Sequence, residues 1–256
     1  MKSFMIESVK AAGDTILTLF KSAMTFHTKE KITDIVTEAD IKSHEILTDA
    51  IRNMYPDHGI VSEESEEYKA DAEYVWCIDP LDGSRNFATG VPLFGINLAL
   101  MRNGTPTHAA ICLPATSEVY YAEVGRGAFR NDIQINCSQK KDWKGSYGLV
   151  APDCGPEFIK FLSIFDELSK GTGWINAIAS PAVSGVWVAD GRRDWYIGPS
   201  ARNWDYAAPA LIGAEAGCAV SNFNGTSWKS GDLGLIVSAP DLHPALLRAV
   251  QRCFLT

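Results

Sequence analysis

Apolar residues recur at Met5, Val9, Ala12, Ile16, Leu19 and Ala23, in steps of three and four. That spacing predicts an amphipathic helix packed by one face on the body of the protein. A polar stretch, His27 to Asp34, leads into Ile35-Val36-Thr37. Thr37 with Asp40 three residues on outlines a capping box for a second helix reaching about Met54. Tyr55-Pro56-Asp57-His58-Gly59 ends it, and Ile60-Val61 reads as a short strand running into Ser62-Glu63-Glu64. Tyr74-Val75-Trp76-Cys77-Ile78 is a continuous apolar run, as in a strand buried on both faces, and it stops at Asp79. Phe94, Ile96, Leu98 and Leu100 alternate with smaller or polar residues and predict another strand. Ala109–Leu113 and Val119–Val124, joined by Pro114-Ala115-Thr116-Ser117, read as consecutive antiparallel strands before the Gly125-Arg126-Gly127 turn.

The second half alternates more regularly. Strands are expected at Tyr147–Ala151, Trp195–Ile197 and Leu235-Ile236-Val237, and helices at Glu157–Leu168, Val183–Ala189, Tyr206–Ala216 and His243–Cys253. Mixed antiparallel and alternating elements point to a layered α/β fold rather than a doubly wound nucleotide fold. No Gly-x-Gly-x-x-Gly or P-loop is present to support the latter. A division into residues 1–140 and 141–256 is expected, with any hinge near Ser138–Lys144.

Composition narrows the picture. The 256 residues carry 23 basic and 31 acidic side chains, a net charge of −8, with no block of Lys or Arg. This argues against a nucleic-acid-binding surface. The six cysteines are too scattered for a disulfide scaffold or a zinc site, and no apolar run has signal-peptide or membrane length. The expectation is a soluble cytoplasmic protein with reduced thiols and no membrane partner.

The chemistry concentrates at Asp79-Pro80-Leu81-Asp82-Gly83-Ser84-Arg85-Asn86-Phe87. Carboxylates this close repel and raise each other's pKa unless a cation gathers them. Asp79, Asp82 and the Leu81 carbonyl offer the oxygen ligands that Mg²⁺ prefers. The bland alternative is a surface turn with N-cap aspartates. Gly83 and Ser84 would open a short helix whose free N–H groups suit an anion. Asp205, in Asn203-Trp204-Asp205-Tyr206-Ala207-Ala208, lies in the first turn of an apolar helix, where an acid is also commonplace for dipole reasons. Glu63-Glu64 could be a solvated pair and Asp40 simply a capping acid.

Together these segments resemble the inositol monophosphatase family of lithium-sensitive, magnesium-dependent phosphatases. The family's central motif, Asp-Pro-x-Asp-Gly-Ser/Thr-x-Asn-Phe, matches Asp79 to Phe87, and its second motif matches Trp204-Asp205-Tyr206-Ala207-Ala208 through Glu215-Ala216-Gly217. Glu63-Glu64 and Val36 to Asp40 stand upstream in the family's order. The resemblance implies an alternating α-β-α-β-α sandwich with the active site between the two halves. It implies metal ligation by Glu63, Asp79, the Leu81 carbonyl, Asp82 and Asp205, with Gly83 and Ser84 holding the phosphate. Asp40 and the Ser84 hydroxyl would activate water, and Glu64 would help position a further metal or water. Two or three Mg²⁺ ions are expected, with Mn²⁺ able to replace them and Li⁺ inhibiting. A homodimer is expected because many relatives form one.

Departures from the pattern bear on substrate. Pro209 stands where glycine is usual, and the family's Gly-Ser/Thr-Ala-Ala segment reads Ala179-Ser180-Pro181-Ala182. The glutamate that inositol-specific members carry before Trp-Asp is missing from Gly198 to Asn203. Asp82, Ser180 and Arg202 are the expected substrate contacts, Arg202 for a second phosphate. Lys29 or Lys31 is a further candidate near the metals. His27, His44, His58, His108 and His243 show no ligand spacing. The expected reaction is hydrolysis of a small phosphate monoester, inositol monophosphate first. Adenosine 3′,5′-bisphosphate or another sugar or histidinol phosphate is the alternative, and a non-catalytic regulatory protein retaining the fold is the alternative of another class.

Overall fold

A computed structural model describes residues 1–20, 26–28, 35–151, 164, 168 and 173–254. Its centre is a seven-stranded sheet in the order β3-β4-β5-β6-β7-β8-β9. The strands are β3 (Gly59–Ser62), β4 (Tyr74–Asp82), β5 (Gly95–Arg102), β6 (Thr105–Leu113), β7 (Glu118–Glu123), β8 (Ala128–Arg130) and β9 (Ile133–Ile135). β3 and β4 are parallel and the remaining pairs antiparallel. Ahead of this sheet, β1 (Phe26–Thr28) and β2 (Ile35–Thr37) form a small antiparallel pair. A second sheet has the order β11-β10-β12-β14-β13, from β10 (Tyr147–Val150), β11 (Trp174–Ala177), β12 (Trp195–Gly198), β13 (Ala219–Ser221) and β14 (Leu235–Ser238).

Helices separate and cover the sheets. α1 (Lys2–Leu19) and α2 (Glu38–Met54) cover the outer face of the first sheet, where Met5, Val9, Ala12, Ile16, Leu47 and Ile51 meet Trp76, Ile78, Ile96, Leu98 and Leu100. The apolar steps of the first helix hold as predicted, although Ala23 lies outside the described residues. On the inner face, Cys77, Ala99, Ala109 and Ala122 meet α4 (Pro181–Ala189) and α5 (Asn203–Glu215), and beyond those helices lie Leu149, Tyr196, Leu235 and Val237 of the second sheet. α6 (His243–Phe254) closes the far side with Leu246 and Val250 against Trp195, Ile197 and Ile236. The layers therefore run α-β-α-β-α.

The alternation in β5 is between bulky and small residues. From Gly95 to Met101 every residue is buried, because helices cover both faces. The small face lets α5 approach closely through Ala207, Ala208 and Ala210. One hydrophobic cluster continues across position 140, joining Ala122 to Leu235. Of the expected helix Glu157–Leu168, only Ile164 and Leu168 are described, both helical and buried on α6's side of the second sheet. The remainder, and Lys29 and Lys31, lie outside the described residues. Among the described residues no helix is long and apolar enough to cross a membrane.

Candidate active site

The strand expected to stop before Asp79 instead runs on to Asp82, with its register against β5 shifting between Asp79 and Asp82. The irregularity is what a strand needs to accommodate Pro80, which has no N–H for the ladder. Asp79 Oδ1 accepts a hydrogen bond from the Leu81 N–H at 3.1 Å, and the Ser43 hydroxyl of α2 donates to the Pro80 carbonyl at 2.7 Å. The bulge is thus tied down from within and from the helix beside it. Both carboxylates end up buried, which excludes the surface-turn reading.

Gly83 follows at φ +82 and opens the short helix α3 (Ser84–Ala88). A Cβ at Gly83 would stand 2.9 Å from the Leu93 carbonyl oxygen and 3.2 Å from Ser180 Cβ, so both backbone angle and space demand glycine. The last motif residues are structural. Asn86 donates to the carbonyls of Leu93 and Ile178, both at 2.7 Å, and Phe87 is fully buried against Phe94. Through Ile178, Asn86 positions the segment that carries Ser180.

Asp40 in the first turn of α2 and Asp205 in the first turn of α5 are also buried. Burial pushes the Asp79 carboxyl well above its ordinary range, and Glu63, Asp82, Asp205 and Asp40 push it further. Burial likewise raises Asp205. Asp82 and Glu63 add to that rise, against opposing pulls from Arg202 and a Ser200 hydrogen bond. Asp82 is pushed up to about 7 by burial, with hydrogen bonds from Ser180 and Ala182 holding it down and Glu63 raising it. Four segments distant in sequence therefore bring five carboxylates into mutual repulsion.

Their chemistry fits a hard divalent cation, which wants carboxylate oxygen and cancels this repulsion. Among the described residues no three His, Cys, Asp or Glu side chains stand grouped around one point. Two of the acids already have partners. Glu63 lies 3.6 Å from the Arg202 guanidinium, and Asp82 Oδ2 accepts from the Ser180 hydroxyl at 2.5 Å and the Ala182 N–H at 2.6 Å. Glu64 faces His44 of α2, on whose charge it acts.

A family model for inositol monophosphatases matches residues 1–254. The chain belongs to the inositol monophosphatase family. A Thermotoga maritima relative named fructose-1,6-bisphosphatase/inositol-1-monophosphatase is 31% identical over 249 residues, covering 97% of this chain and 94% of its own length. A Pseudomonas aeruginosa relative named Nus factor SuhB is 33% identical over 261 residues, covering 98% and 96%. The crystal structure of the extragenic suppressor protein suhB from Bartonella henselae superposes with a TM-score of 0.92 at 26% identity, covering 98% of both chains.

Two of this member's departures from the family pattern have visible consequences. Ala179 adopts φ +56, a left-handed conformation that glycine takes without strain and alanine does not. Pro209 sits inside α5, which nevertheless runs unbroken from Asn203 to Glu215. Having no N–H, it leaves the Asp205 carbonyl without its helical hydrogen bond. Gly185 of α4 accommodates the proline ring; a Cβ there would lie 2.5 Å from Pro209 Cβ.

Ser180, expected on the substrate wall, is fully buried, N-caps α4 and gives its hydroxyl to Asp82. The hydrogen bond makes it a positioning residue for Asp82. Arg202 remains partly exposed, with 40% of its side-chain surface open. Sequence reasoning missed Asn97. It is buried opposite Asp79 on β5, donates to the Trp204 carbonyl at 3.3 Å, and leaves its Oδ1 without a hydrogen-bond partner. Its signal was a polar residue interrupting the apolar run of β5.

Proposed function

We propose that this protein hydrolyses a small phosphate monoester with the help of divalent metal, inositol monophosphate being the first substrate to test. The observation that carries the reading is the buried set Asp40, Asp79, Asp82 and Asp205 with Glu63, whose mutual repulsion a multivalent cation would offset. Glu63, Asp79, Asp82, Asp205 and the Leu81 carbonyl would hold Mg²⁺, with Mn²⁺ as a substitute. The bound ions would supply neutralisation of the phosphate charge and acidification of the attacking water.

The chain's own residues do the rest. Backbone N–H groups of Gly83 and Ser84 hold the phosphate. Asp40, acting with the Ser84 hydroxyl, orients the water and accepts its proton. Asp82, fixed by Ser180 and Ala182, faces both ion and substrate. Glu64 positions a further water. Arg202, partly exposed beside Glu63, offers a cation complementary to a second anionic group on the ester. Phosphoryl transfer asks mainly for this positioning and charge neutralisation, and no covalent nucleophile is required.

The test is phosphate release, with and without Mg²⁺, from inositol monophosphates, adenosine 3′,5′-bisphosphate, histidinol phosphate and fructose 1,6-bisphosphate. Mg²⁺-dependent release from inositol monophosphate is the expected result, and preference for a bisphosphate would assign Arg202 its second phosphate. Silence across the panel would favour the second reading, a regulatory protein retaining the fold. That reading draws its support from relatives named Nus factor SuhB.

A further inference from the structure

Across the acid motif β4 carries one residue more than β5. Asp79 pairs with Asn97 and Asp82 with Gly95, so three steps along β4 match two along β5. Side chains alternate faces along a regular strand, which would send Asp79 and Asp82 to opposite sides. The extra residue brings both to one face instead. On β5 that face holds Gly95, Asn97, Ala99 and Met101, turned toward α4 and α5, and Asn97 is its one polar side chain. Paired residues stand with Cβ atoms about 4.5–5.5 Å apart, so Asn97 is the side chain that the sheet sets beside Asp79. Both are buried.

Asn97 also reaches α5. Its Nδ2 donates to the Trp204 carbonyl at 3.3 Å, one residue before Asp205. That turn of the helix is short of a backbone hydrogen bond, because Pro209 has no N–H for the Asp205 carbonyl. The amide supplies an anchor where the helix has lost one. Stability alone does not explain the residue. Its Oδ1 is buried with no hydrogen-bond partner among the described residues, which is destabilising, and leucine would fill a similar volume without an unpaired oxygen. What asparagine has and leucine lacks is the N–H that joins the strand position beside Asp79 to the helical turn of Asp205.

We propose that Asn97 is a positioning residue of the metal site, fixing the first turn of α5, and with it Asp205, against Asp79. This role rests on the divalent-metal reading of the acids and extends it to a neutral residue outside both acid motifs. Asp79 and Asp205 come from a strand and a helix that meet through packing, and a cation needs the oxygens of both within its reach. Apolar packing is non-directional, whereas a hydrogen bond to one carbonyl fixes where along the strand the turn sits. A partner of this kind supports metal affinity without giving the ion an oxygen of its own.

The experiment compares the full-length parent with Asn97→Leu and Asn97→Ala by calorimetric Mg²⁺ titration, by urea unfolding without metal, and by amide exchange across α5 without metal. In Asn97→Leu the Mg²⁺ affinity should fall about 10–100-fold while the metal-free urea midpoint holds or rises. Exchange in the turn that carries Asp205 should quicken. Where leucine overpacks and lowers the midpoint, Asn97→Ala decides. Affinity loss with quickened exchange confined to that turn supports the role, and exchange quickened throughout the sheet overturns it. Unchanged exchange in that turn also overturns it. A parent that binds Mg²⁺ no better than Asn97→Leu overturns this role alone, whereas a parent that takes up no Mg²⁺ overturns the metal reading and this role with it.

Discussion

Ser180 lies 98 residues from Asp82 in sequence, yet its hydroxyl donates to Asp82 Oδ2 at 2.5 Å while also accepting the Val183 N–H at 3.2 Å. One side chain thus caps α4 and orients a site carboxylate. Ser180→Ala should cost about 1–2 kcal/mol of stability through the lost cap and hydrogen bond. It should also weaken Mg²⁺ binding, with Ser180→Thr restoring both. Urea unfolding at pH 7 and calorimetric Mg²⁺ titration check this; unchanged values in the alanine variant would remove Ser180 from the site's support.

Ala179, immediately before it, carries the cost of a left-handed backbone. Ala179→Gly should raise stability by about 0.5–1 kcal/mol, the relief exceeding the extra freedom glycine gains when unfolded. A shift of the urea midpoint to higher concentration at constant slope is the measurement.

Asp82→Asn keeps an oxygen for Ser180 and Ala182 while removing the charge. The variant should fold, lose Mg²⁺-stimulated phosphate release, and be more stable than the parent at pH 8 without metal. Ser84→Ala should keep metal affinity and lose rate. Undiminished turnover in Asp82→Asn would contradict the metal assignment.

The raised carboxyls set a pH dependence. Asp79, Asp82 and Asp205 hold protons more firmly folded than unfolded. Between the ordinary carboxylate range and about 7, where Asp82 titrates, the folded chain therefore binds more protons. Metal-free stability must fall as pH rises through that window. Mg²⁺ should raise Tm more at pH 8 than at pH 5, since only ionised carboxylates bind it. Thermal melts at the two pH values, with and without Mg²⁺, test this; an equal Mg²⁺ effect at both would count against the cluster.

Gly185→Ala would push α4 away from Pro209. Overpacking of this kind should cost about 1–3 kcal/mol and, by displacing α5 and Asp205, lower Mg²⁺ affinity. Thermal melts alongside Mg²⁺ titration separate the two effects.

A repeating apolar period placed α1 and β5, a capping-box outline placed α2, and apolar runs placed β6 and β7. β8, β9 and β13, three residues long, escaped these signals, and so did β11, whose four residues are mostly exposed. The end of β4 was misjudged because Pro80 signals a stop, whereas a bulge beside a buried neighbour carries the strand through to Asp82. The acids were legible as motif spacings. Asn86 and Phe87 stood in the same motif without a visible purpose, since their partners lie in other segments.

Sequence by itself determined most of the longer elements, that the Tyr74–Ile78 run is apolar on both faces, and which carboxylates are available. Tertiary structure alone decided that Asp40, Asp79, Asp82 and Asp205 are buried, that the Ser180 hydroxyl holds Asp82, and that Asn97 pairs with Asp79 across the sheet. Period and propensity are local properties of the chain. Desolvation and charge repulsion depend on distance in space, and that distance exists only after the layers have packed.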